Sequence, residues 1–203
     1  MCCRYWTEES PELRAIVEEM NRSPLVRRWQ NTTGVKSFGE MRPTDVVPVI
    51  APNRAGARAV FPMKWGFSGK SLLVNARSET AASKPTFKES WERRRCIVPA
   101  SWYFEWEHLL SNEGKTRTGD KYMIQPKGST MTWLCGLYRI EEGFPVFVVL
   151  TREPGEEIRF IHDRMPLILP ERCIDDWIRP DTRPEELLGK ALTDMAFEKV
   201  GGR

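Results

Sequence analysis

The chain of 203 residues is 40% hydrophobic and 29% charged, with a formal net charge of +3. This composition is typical of a folded domain with a full core, and it excludes a disordered chain. No apolar run is long enough to cross a bilayer, and the N-terminal stretch carries glutamates where a signal peptide would be basic and then apolar. We therefore expect a cytoplasmic protein, nucleoid-associated if bacterial, with no membrane partner.

Cysteine and histidine usage bounds the metal chemistry. The five cysteines are an odd number without CxxC spacing, and only two histidines are present. Neither a disulfide framework nor a structural zinc site is indicated, so we expect reduced thiols.

The N-terminal half begins with a helix and continues with strands. Ser10 and Pro11 fit an N-cap and a first helical position, and apolar residues then recur at helical spacing to about Asn21. Residues 41–66 are apolar, β-branched and broken by prolines, which predicts short edge strands joined by turns. SLLVNARSET begins as an apolar run and then alternates, and FKESWERRR has a helical pattern.

The C-terminal half changes from strands to helices. The segments CIVPASWYFEW, YMIQP, TWLCGLYRI and FPVFVVLT are predicted strands, and SNEGKTRTGD before Lys121 is a predicted polar loop. After Thr151, GEEIRFIH, ERCIDDWI and PEELLGKAL favour helix. This order indicates an α+β fold in one domain spanning residues 1–203, with a helical tail from about residue 181.

The chain starts MCCRYW, which places a cysteine directly after the initiator methionine. Because a small second residue normally allows methionine removal, mature Cys2 would carry a thiol and an α-amine on one carbon. Ordinary pKa values of ~7.7–8.0 for the amine and ~8.5 for the thiol leave a useful fraction of each nucleophilic at neutral pH. The alternative is an inert cysteine that acts as a small hydrophobic residue.

Polar residues interrupt the predicted strand SLLVNARSET at alternate positions. In a strand, Asn75, Arg77 and Glu79 would share one face. They are then either a functional cluster or a salt-bridged strand end.

A carboxylate lies among aromatic residues in ASWYFEW. In a strand, Trp102, Phe104 and Trp106 share one face, and Tyr103 and Glu105 share the other. Aromatic surroundings would desolvate Glu105, raise its pKa and suit it to proton transfer. Pairing with an arginine is the structural alternative, and it would lower the pKa.

One histidine lies at a predicted junction between a helix and a strand. FIHDRMPLIL places His162 there, with Arg164 close by. The histidine can act as an acid or base and the arginine can hold an anion, but a lone histidine can also be structural. The pair Arg27–Arg28, the run Arg93–Arg95 and the eight tryptophans suit a nucleic-acid groove, or else solvated helix faces and core.

Taken in order, these stretches resemble the SOS-response-associated peptidase (SRAP) family of abasic-site-processing proteins. The matching motifs are the N-terminal cysteine with Arg4, PTD at 43–45, WG at 65–66, NARSET at 75–80, RRCIVPA followed by FEW, and HDRMP at 162–166. They cover roughly residues 2–180, and several ordered matches are far more specific than any single one.

The resemblance implies a single compact α+β domain with curved, barrel-like, mixed or antiparallel sheets flanked by helices. It implies an enzyme, expected to be a monomer, that binds single-stranded DNA or its junction with duplex and crosslinks to an abasic site. It implies no metal and no organic cofactor. The catalytic roles fall on Cys2 as nucleophile, on Asn75 and Glu105 lining its site, and on His162 for sugar-ring opening and later reversal.

The resemblance also implies DNA contacts and a reaction. Arg4, Arg77 and Arg164 would bind phosphates, while Pro43 and Trp65 would lie against bases or wedge the strand. The N-terminal amine would form a Schiff base with the open-chain abasic aldehyde, and the thiol would close it to a thiazolidine. Exposing that amine requires loss of the first methionine, by an aminopeptidase or by self-processing.

Three departures from the family pattern bear on the geometry of the DNA groove. Cys3 and Trp102 stand where the family usually has glycine. The segment between Gly66 and Ser71 is shorter than in many relatives.

Two other functions fit the same residues. A cysteine peptidase or amidohydrolase would use Cys2 with His162 and Glu105, but it has no general need for three phosphate-type cations. A non-catalytic nucleic-acid-binding module would bind intact and abasic strands equally and form no adduct.

Overall fold

The computed structural model describes residues 2–110 and 116–201 of the chain. Strands in these residues are β1 (Arg4–Thr7), β2 (Gly39–Met41), β3 (Val46–Pro52), β4 (Arg58–Trp65), β5 (Asn75–Arg77), β6 (Arg95–Ala100), β7 (Trp102–Leu110), β8 (Thr116–Pro126), β9 (Thr132–Glu141), β10 (Phe144–Arg152), β11 (Met165–Pro166) and β12 (Met195–Val200). The α-helices are α1 (Pro11–Asn21), α2 (Leu25–Gln30), α3 (Ser78–Ala81), α4 (Pro85–Arg93), α5 (Ile174–Ile178) and α6 (Glu185–Leu188), and short 3-10 helices cover Glu156–Ile158 and Glu171–Cys173.

Five of the strands close into a barrel. They pair in the order β10–β4–β3–β6–β9, and β9 pairs back onto β10. The β10–β4 pair is parallel, whereas the other pairs of the barrel are antiparallel. β5 and β11 add to β10. The predicted α+β class with mixed, barrel-like sheets is confirmed.

The remaining strands form a second sheet in the order β12–β8–β7–β1–β2. All of its neighbouring strands are antiparallel. In its centre, Arg4 of β1 lies opposite Phe104 of β7. This pairing brings the N-terminal cysteine and the FEW motif, which are a hundred residues apart in sequence, to one place in the fold.

Two buried clusters join these layers into one compact domain. The first packs helices α1, α2, α4 and α5 on the barrel, and it includes Leu13, Trp91 and Trp177. The second packs one face of the five-stranded sheet on the barrel, and it includes Tyr5 and Trp65. Alternate residues of the barrel strands feed the two clusters, as the two-residue period of a strand requires.

The first helix is confirmed, but the predicted helical tail is wrong. The Leu13 backbone N–H donates to the Ser10 hydroxyl oxygen at 3.3 Å, and Pro11 opens the helix. From residue 181 onward the described chain has only the four-residue α6, and its last element is β12. β12 pairs along β8 from Met195 to Val200, so the end of the chain extends a sheet. GEEIRFIH likewise contains only a 3-10 turn.

The prediction of edge strands in residues 41–66 is also wrong, because β3 and β4 are interior strands of the barrel. Pro48 and Pro62 lie directly opposite each other in the β3–β4 ladder. β3 meets β6 at a single registered pair, Ile50 with Ile97. On its other side, β4 pairs with β10 only at Lys64 and Trp65, beyond Pro62. Because both neighbouring ladders are short, the N–H groups that the two prolines lack remove little sheet hydrogen bonding.

The predicted polar loop SNEGKTRTGD is partly strand. β8 begins at Thr116 and pairs with β7, so Thr116–Asp120 are extended. Residues 111–115 lie outside the described residues. None of the helices in the described residues is long and apolar enough to cross a membrane.

Candidate active site

Cys2 lies just before β1 and is fully buried. The Asn75 side chain donates from Nδ2 to the Cys2 carbonyl oxygen at 2.8 Å, and the Cys2 thiol lies 3.8 Å from the Arg4 carbonyl oxygen. The bond from Asn75 ties the N-terminal segment to β5 and so to the barrel. Burial, followed by the charge of Glu105, raises the pKa of the Cys2 thiol well above its usual value. The ordinary thiol pKa expected from sequence is therefore wrong, and the thiol is protonated at neutral pH.

Glu105 lies on the buried face of β7, opposite Tyr122 of β8. It is 4% exposed, and its Oε1 accepts from the Trp106 backbone N–H at 3.4 Å. Burial raises the pKa of the Glu105 carboxyl. Of the two sequence interpretations, this direction agrees with a proton-transfer group and not with an arginine-paired carboxylate.

His162 is buried beside β7, after the 3-10 turn Glu156–Ile158. Burial is the main cause that lowers the pKa of His162 to about 4, and the neighbouring His108 adds to this effect. The imidazole is therefore neutral at pH 7, as a general base must be. The His108 backbone N–H donates to the Ile161 carbonyl oxygen at 3.0 Å, which holds this segment against β7.

The prediction that Asn75, Arg77 and Glu79 share one face of a strand is wrong. β5 ends at Arg77 and α3 begins at Ser78, so Glu79 lies on a helix. Asn75 reaches the N-terminal segment, Arg77 is exposed to solvent, and Glu79 pairs with Arg164.

Arg164 is 9% exposed, and both terminal nitrogens of its guanidinium are engaged by neighbouring groups. Its Nη1 and Nη2 donate to the two carboxylate oxygens of Glu79 at 2.8 Å each, and Nη2 also donates to the Thr151 carbonyl oxygen at 2.8 Å. This bidentate pair holds α3 against β10. The salt-bridge interpretation of the NARSET stretch therefore applies to Glu79, with a partner that lies far away in sequence.

The other face of the five-stranded sheet is rich in aromatic and charged residues, and we call it the outer face. Cross-strand partners place them together: Arg4, Trp6, Glu40, Trp102, Phe104, Trp106 and Lys121. The Trp6 and Trp102 rings are parallel within 1°, with centroids 6.1 Å apart. Trp102, Phe104 and Trp106 thus share one face, as predicted, and the two tryptophans remain partly exposed.

Three cations of this region converge on one carboxylate. Glu40 accepts from Arg4 at 3.0 Å, from Arg42 at 2.7 Å and from Lys121 at 3.1 Å. Partial burial opposes ionisation of Glu40, but the hydrogen bonds from Arg42 and Lys121 prevail and lower its pKa. Arg4 and Lys121 also lie 5.3 Å from the Trp106 ring centroid. The cluster therefore keeps a net positive charge beside exposed aromatic rings.

Two residues predicted to contact bases have different surroundings. Trp65 is fully buried, and its Nε1 donates to the Val74 carbonyl oxygen at 2.9 Å. Its ring packs against Tyr5 and Phe147 in the core, so the predicted base contact of Trp65 is wrong. Pro43 is half-buried in the turn between β2 and β3, next to the cation cluster.

The arginine run Arg93–Arg95 divides between surface and core. Arg93 is exposed, whereas Arg95 is 1% exposed. The Arg95 guanidinium donates to the Trp177 and Trp91 carbonyl oxygens at 2.7 Å, and to three more backbone carbonyls. Arg95 therefore fits neither sequence interpretation, because it fastens α4 to the C-terminal segment.

Sequence reasoning missed several residues of this region. Glu40 and Lys121 join Arg4 only through the pairing of β1, β2, β7 and β8, which the sequence does not reveal. His108 and Asp163 lie against His162, with His108 and His162 ring centroids 3.9 Å apart. The sequence held one signal for this pair: the chain has only two histidines. In the structure both lie at this place.

The fold and site together describe a barrel protein with a buried cysteine near its N-terminus, within electrostatic reach of the Glu105 carboxyl. Residues 1–201 match the family model for SOS response associated peptidase (SRAP), and the chain belongs to this family. The resemblance seen in the sequence motifs is thereby confirmed.

Two bacterial relatives illustrate the similarity. The abasic site processing protein YoaM of Bacillus subtilis is 36% identical over 121 residues, which are 57% of this chain and 51% of that protein. The abasic site processing protein YedK of Escherichia coli is 30% identical over 146 residues, which are 66% of this chain and 60% of that protein. The chain thus spans about half the length of the curated relatives it matches.

Solved structures share the fold. A crystal structure of a Bacteroides thetaiotaomicron protein superposes with a TM-score of 0.73 at 21% identity, covering 98% of this chain and 92% of that one. A phage-related protein from Bordetella bronchiseptica gives 0.71 at 23% identity, covering 98% of this chain and 94% of that one.

Proposed function

We propose that the protein is an abasic-site-processing enzyme that binds single-stranded DNA and crosslinks to the abasic site through Cys2. The observation that carries this proposal is the burial of Cys2 within electrostatic reach of Glu105, with its carbonyl held by Asn75. Membership of the family and the names of the relatives support the abasic-site substrate.

In the proposed reaction, the α-amine of Cys2 attacks the aldehyde carbon of the ring-opened sugar, and water leaves as the C=N bond forms. The sulfur then adds to the same carbon, and the thiol proton ends on the nitrogen, which gives a thiazolidine. Because the pKa of the thiol is raised, the sulfur needs a base to accept its proton. A carboxyl with a raised pKa, such as Glu105, suits this transfer near neutral pH.

His162 and Asn75 are assigned supporting roles. A neutral His162 can take the proton of the anomeric hydroxyl and so open the sugar ring, and it can return that proton on reversal. Asn75 Oδ1 is buried and has no hydrogen-bond partner in the described part of the chain. This oxygen is suited to accept from the amine of processed Cys2 or from a sugar hydroxyl.

The strand is proposed to run along the outer face. Arg4 and Lys121 share Glu40 with Arg42, so cationic charge is left to attract phosphates. Partly exposed tryptophans beside these cations suit base stacking, which is tolerant of sequence. The exposed Arg77 and the turn at Pro43 keep their predicted DNA contacts as part of this proposal.

Loss of Met1 is a required step of the proposal. While Met1 remains, the nitrogen of Cys2 is an amide and cannot form a Schiff base. An aminopeptidase or self-processing within the same site would remove it.

The test is denaturing electrophoresis after mixing the protein with a single-stranded oligonucleotide that carries one abasic site. The wild type should give a heat-stable adduct, and Cys2→Ala should bind the same oligonucleotide without forming one. Undiminished crosslinking by Cys2→Ala would place the nucleophile elsewhere and overturn the assignment.

Cys3→Ala is the matched control, because only residue 2 presents both groups on one carbon. It should crosslink like the wild type. Mass spectrometry of the intact protein should report a wild-type chain that lacks Met1. A non-catalytic binding module would instead bind abasic and intact strands alike and give no adduct with any variant.

A further inference from the structure

The only two histidines of the chain lie against each other, although they are far apart in sequence. The His108 and His162 ring centroids are 3.9 Å apart, with 50° between the ring planes. The β7–β8 ladder has a register shift between Trp106 and His108, and such an irregularity changes the direction of the side chains that follow it. The backbone bond from His108 to Ile161 then fixes the two segments side by side.

A carboxylate completes the group. Asp163 Oδ1 lies 2.6 Å from His162 Nδ1, and the Asp163 side chain is 78% exposed. The Arg164 backbone N–H also points at His162 Nδ1, at 3.0 Å. One ring nitrogen cannot accept that N–H and donate to the carboxylate at the same time. A cation bound by the carboxylate removes its need for a donor, and the ring nitrogen can then accept the Arg164 N–H.

We propose that His108, His162 and Asp163 form a binding site for a divalent transition-metal ion of the Zn²⁺ class. One ligand atom from each residue lies within 4.8 Å of the other two. Zn²⁺ binds imidazole nitrogen and carboxylate oxygen at about 2.0–2.2 Å, so small side-chain rotations bring all three into its coordination shell. Two imidazoles and a carboxylate are ligands that suit Zn²⁺.

The proposed site is open to solvent and leaves one coordination position of the ion unoccupied by protein. His162 is buried, whereas His108 and Asp163 are exposed, so the site opens to solvent on one side. Three protein ligands leave a fourth position for water, unlike closed structural zinc sites, in which four protein ligands complete the tetrahedron. The cysteine spacing that signals structural zinc plays no part in this site.

Occupation of the site would affect the proposed reaction, and this part of the inference rests on the proposed function. An imidazole that holds a metal ion cannot also take the anomeric proton of the sugar. Zn²⁺ should therefore slow crosslink formation and its reversal, and a chelator should restore both rates.

The binding test uses the metal alone, by calorimetry with Zn²⁺ and absorption spectroscopy with Co²⁺. We expect one ion per chain, with a cobalt spectrum that has d–d bands and no near-ultraviolet thiolate charge-transfer band. His108→Gln and Asp163→Asn should each weaken binding by at least about 10- to 100-fold, which is the loss caused by removing a group that only supports a ligand. Asp175→Asn, an exposed aspartate on α5, is the matched control and should bind like the wild type.

Two results would overturn the site. One is unchanged affinity in both His108→Gln and Asp163→Asn. The other is a thiolate band, which would place the ion on Cys2 and Cys3. In crosslinking assays, the ratio of the rate with Zn²⁺ to the rate with a chelator should fall well below one for the wild type. It should stay near one for His108→Gln, whatever the rate of that variant with the chelator. If no variant crosslinks under any condition the proposed function fails, while the metal titration still decides the site.

Discussion

The two sides of the candidate site use the same residue types in different ways. On the barrel side, Arg164 is buried and its guanidinium is matched to both oxygens of Glu79 and to a backbone carbonyl. On the sheet side, Arg4 is partly exposed and competes with two other cations for Glu40. The number of partners around a guanidinium, rather than the motif in which it occurs, therefore separates a structural arginine from one that is available to a phosphate.

The largest predicted effect is on the rate of crosslinking, through Glu105. This residue lies on the face of the five-stranded sheet that packs against the barrel, and so between the two sides. Glu105→Gln keeps the shape of the side chain but loses the titrating carboxyl. Crosslinking should slow by roughly 10²- to 10⁴-fold if proton transfer limits the rate. The adduct should remain a thiazolidine that does not require borohydride, because the sulfur that closes the ring is unchanged.

The control for Glu105→Gln is Cys2→Ser under the same single-turnover conditions. Its amine can still form a Schiff base, but oxygen closes the ring less stably, so its adduct should largely depend on borohydride. Wild-type rates for Glu105→Gln across the neutral range would remove Glu105 from the mechanism and leave His162 as the proton carrier.

The second prediction compares the two arginines in stability. Arg164→Ala leaves the Thr151 carbonyl and Glu79 without their donor and should reduce the free energy of unfolding by about 1–3 kcal/mol. Arg4→Ala loses only one of several partly exposed ion pairs and should cost less than about 1 kcal/mol. Urea unfolding of both variants measures this difference. Equal losses would show that Arg4 is also structural.

The sequence predicted more of the local structure than of the contacts between distant segments. The cap at Ser10, the aromatic alternation around Glu105 and the strands β9 and β10 follow from short-range patterns and are confirmed. The barrel position of β3 and β4 was missed, because their prolines indicate edges unless the brevity of the neighbouring ladder is known. Strand β12 was missed because it is extended by pairing with β8, a segment far away in sequence.

The same distinction between local patterns and distant contacts applies to the candidate site. Motifs predicted Cys2 and Glu105 as members of one site, and strand pairing places them together. The burial of Trp65 and the bidentate partner of Arg164 depend on tertiary packing, so no local pattern could distinguish them from DNA-facing residues. The raised pKa of the Cys2 thiol has the same origin, because burial by distant segments causes it.

The third prediction concerns DNA binding. Each phosphate contact on a single strand contributes about −0.7 to the slope of log affinity against log salt. Arg4→Ala should flatten that slope by about this amount on every sequence, whereas Arg164→Ala should leave it unchanged. Fluorescence anisotropy across a salt series, with intact single strands, measures both. A slope altered only by Arg164→Ala would reverse the assignment of the two sides.

The last prediction concerns the pH dependence of stability, where His162 and Glu105 act with opposite signs. Because burial lowers the pKa of folded His162 to about 4, the unfolded chain binds this proton between about pH 6.5 and 4 and the folded chain does not. His162 therefore makes stability fall as the pH falls through this window. Glu105 has its pKa raised by burial, so its ionisation makes stability fall as the pH rises past its usual value.

Urea unfolding at several pH values separates the two residues when each variant is compared with the wild type. The stability of His162→Gln relative to the wild type should improve as the pH falls from about 6.5 toward 4, because the variant has no imidazole to protonate on unfolding. Glu105→Gln should show the opposite trend and gain relative to the wild type as the pH rises above about 4.5. Subtracting the wild-type curve cancels the carboxyl groups that lie away from the two substituted residues. Parallel curves for His162→Gln and the wild type would mean that His162 titrates as it does in the unfolded chain, and the neutral base assigned to ring opening would lose its physical support.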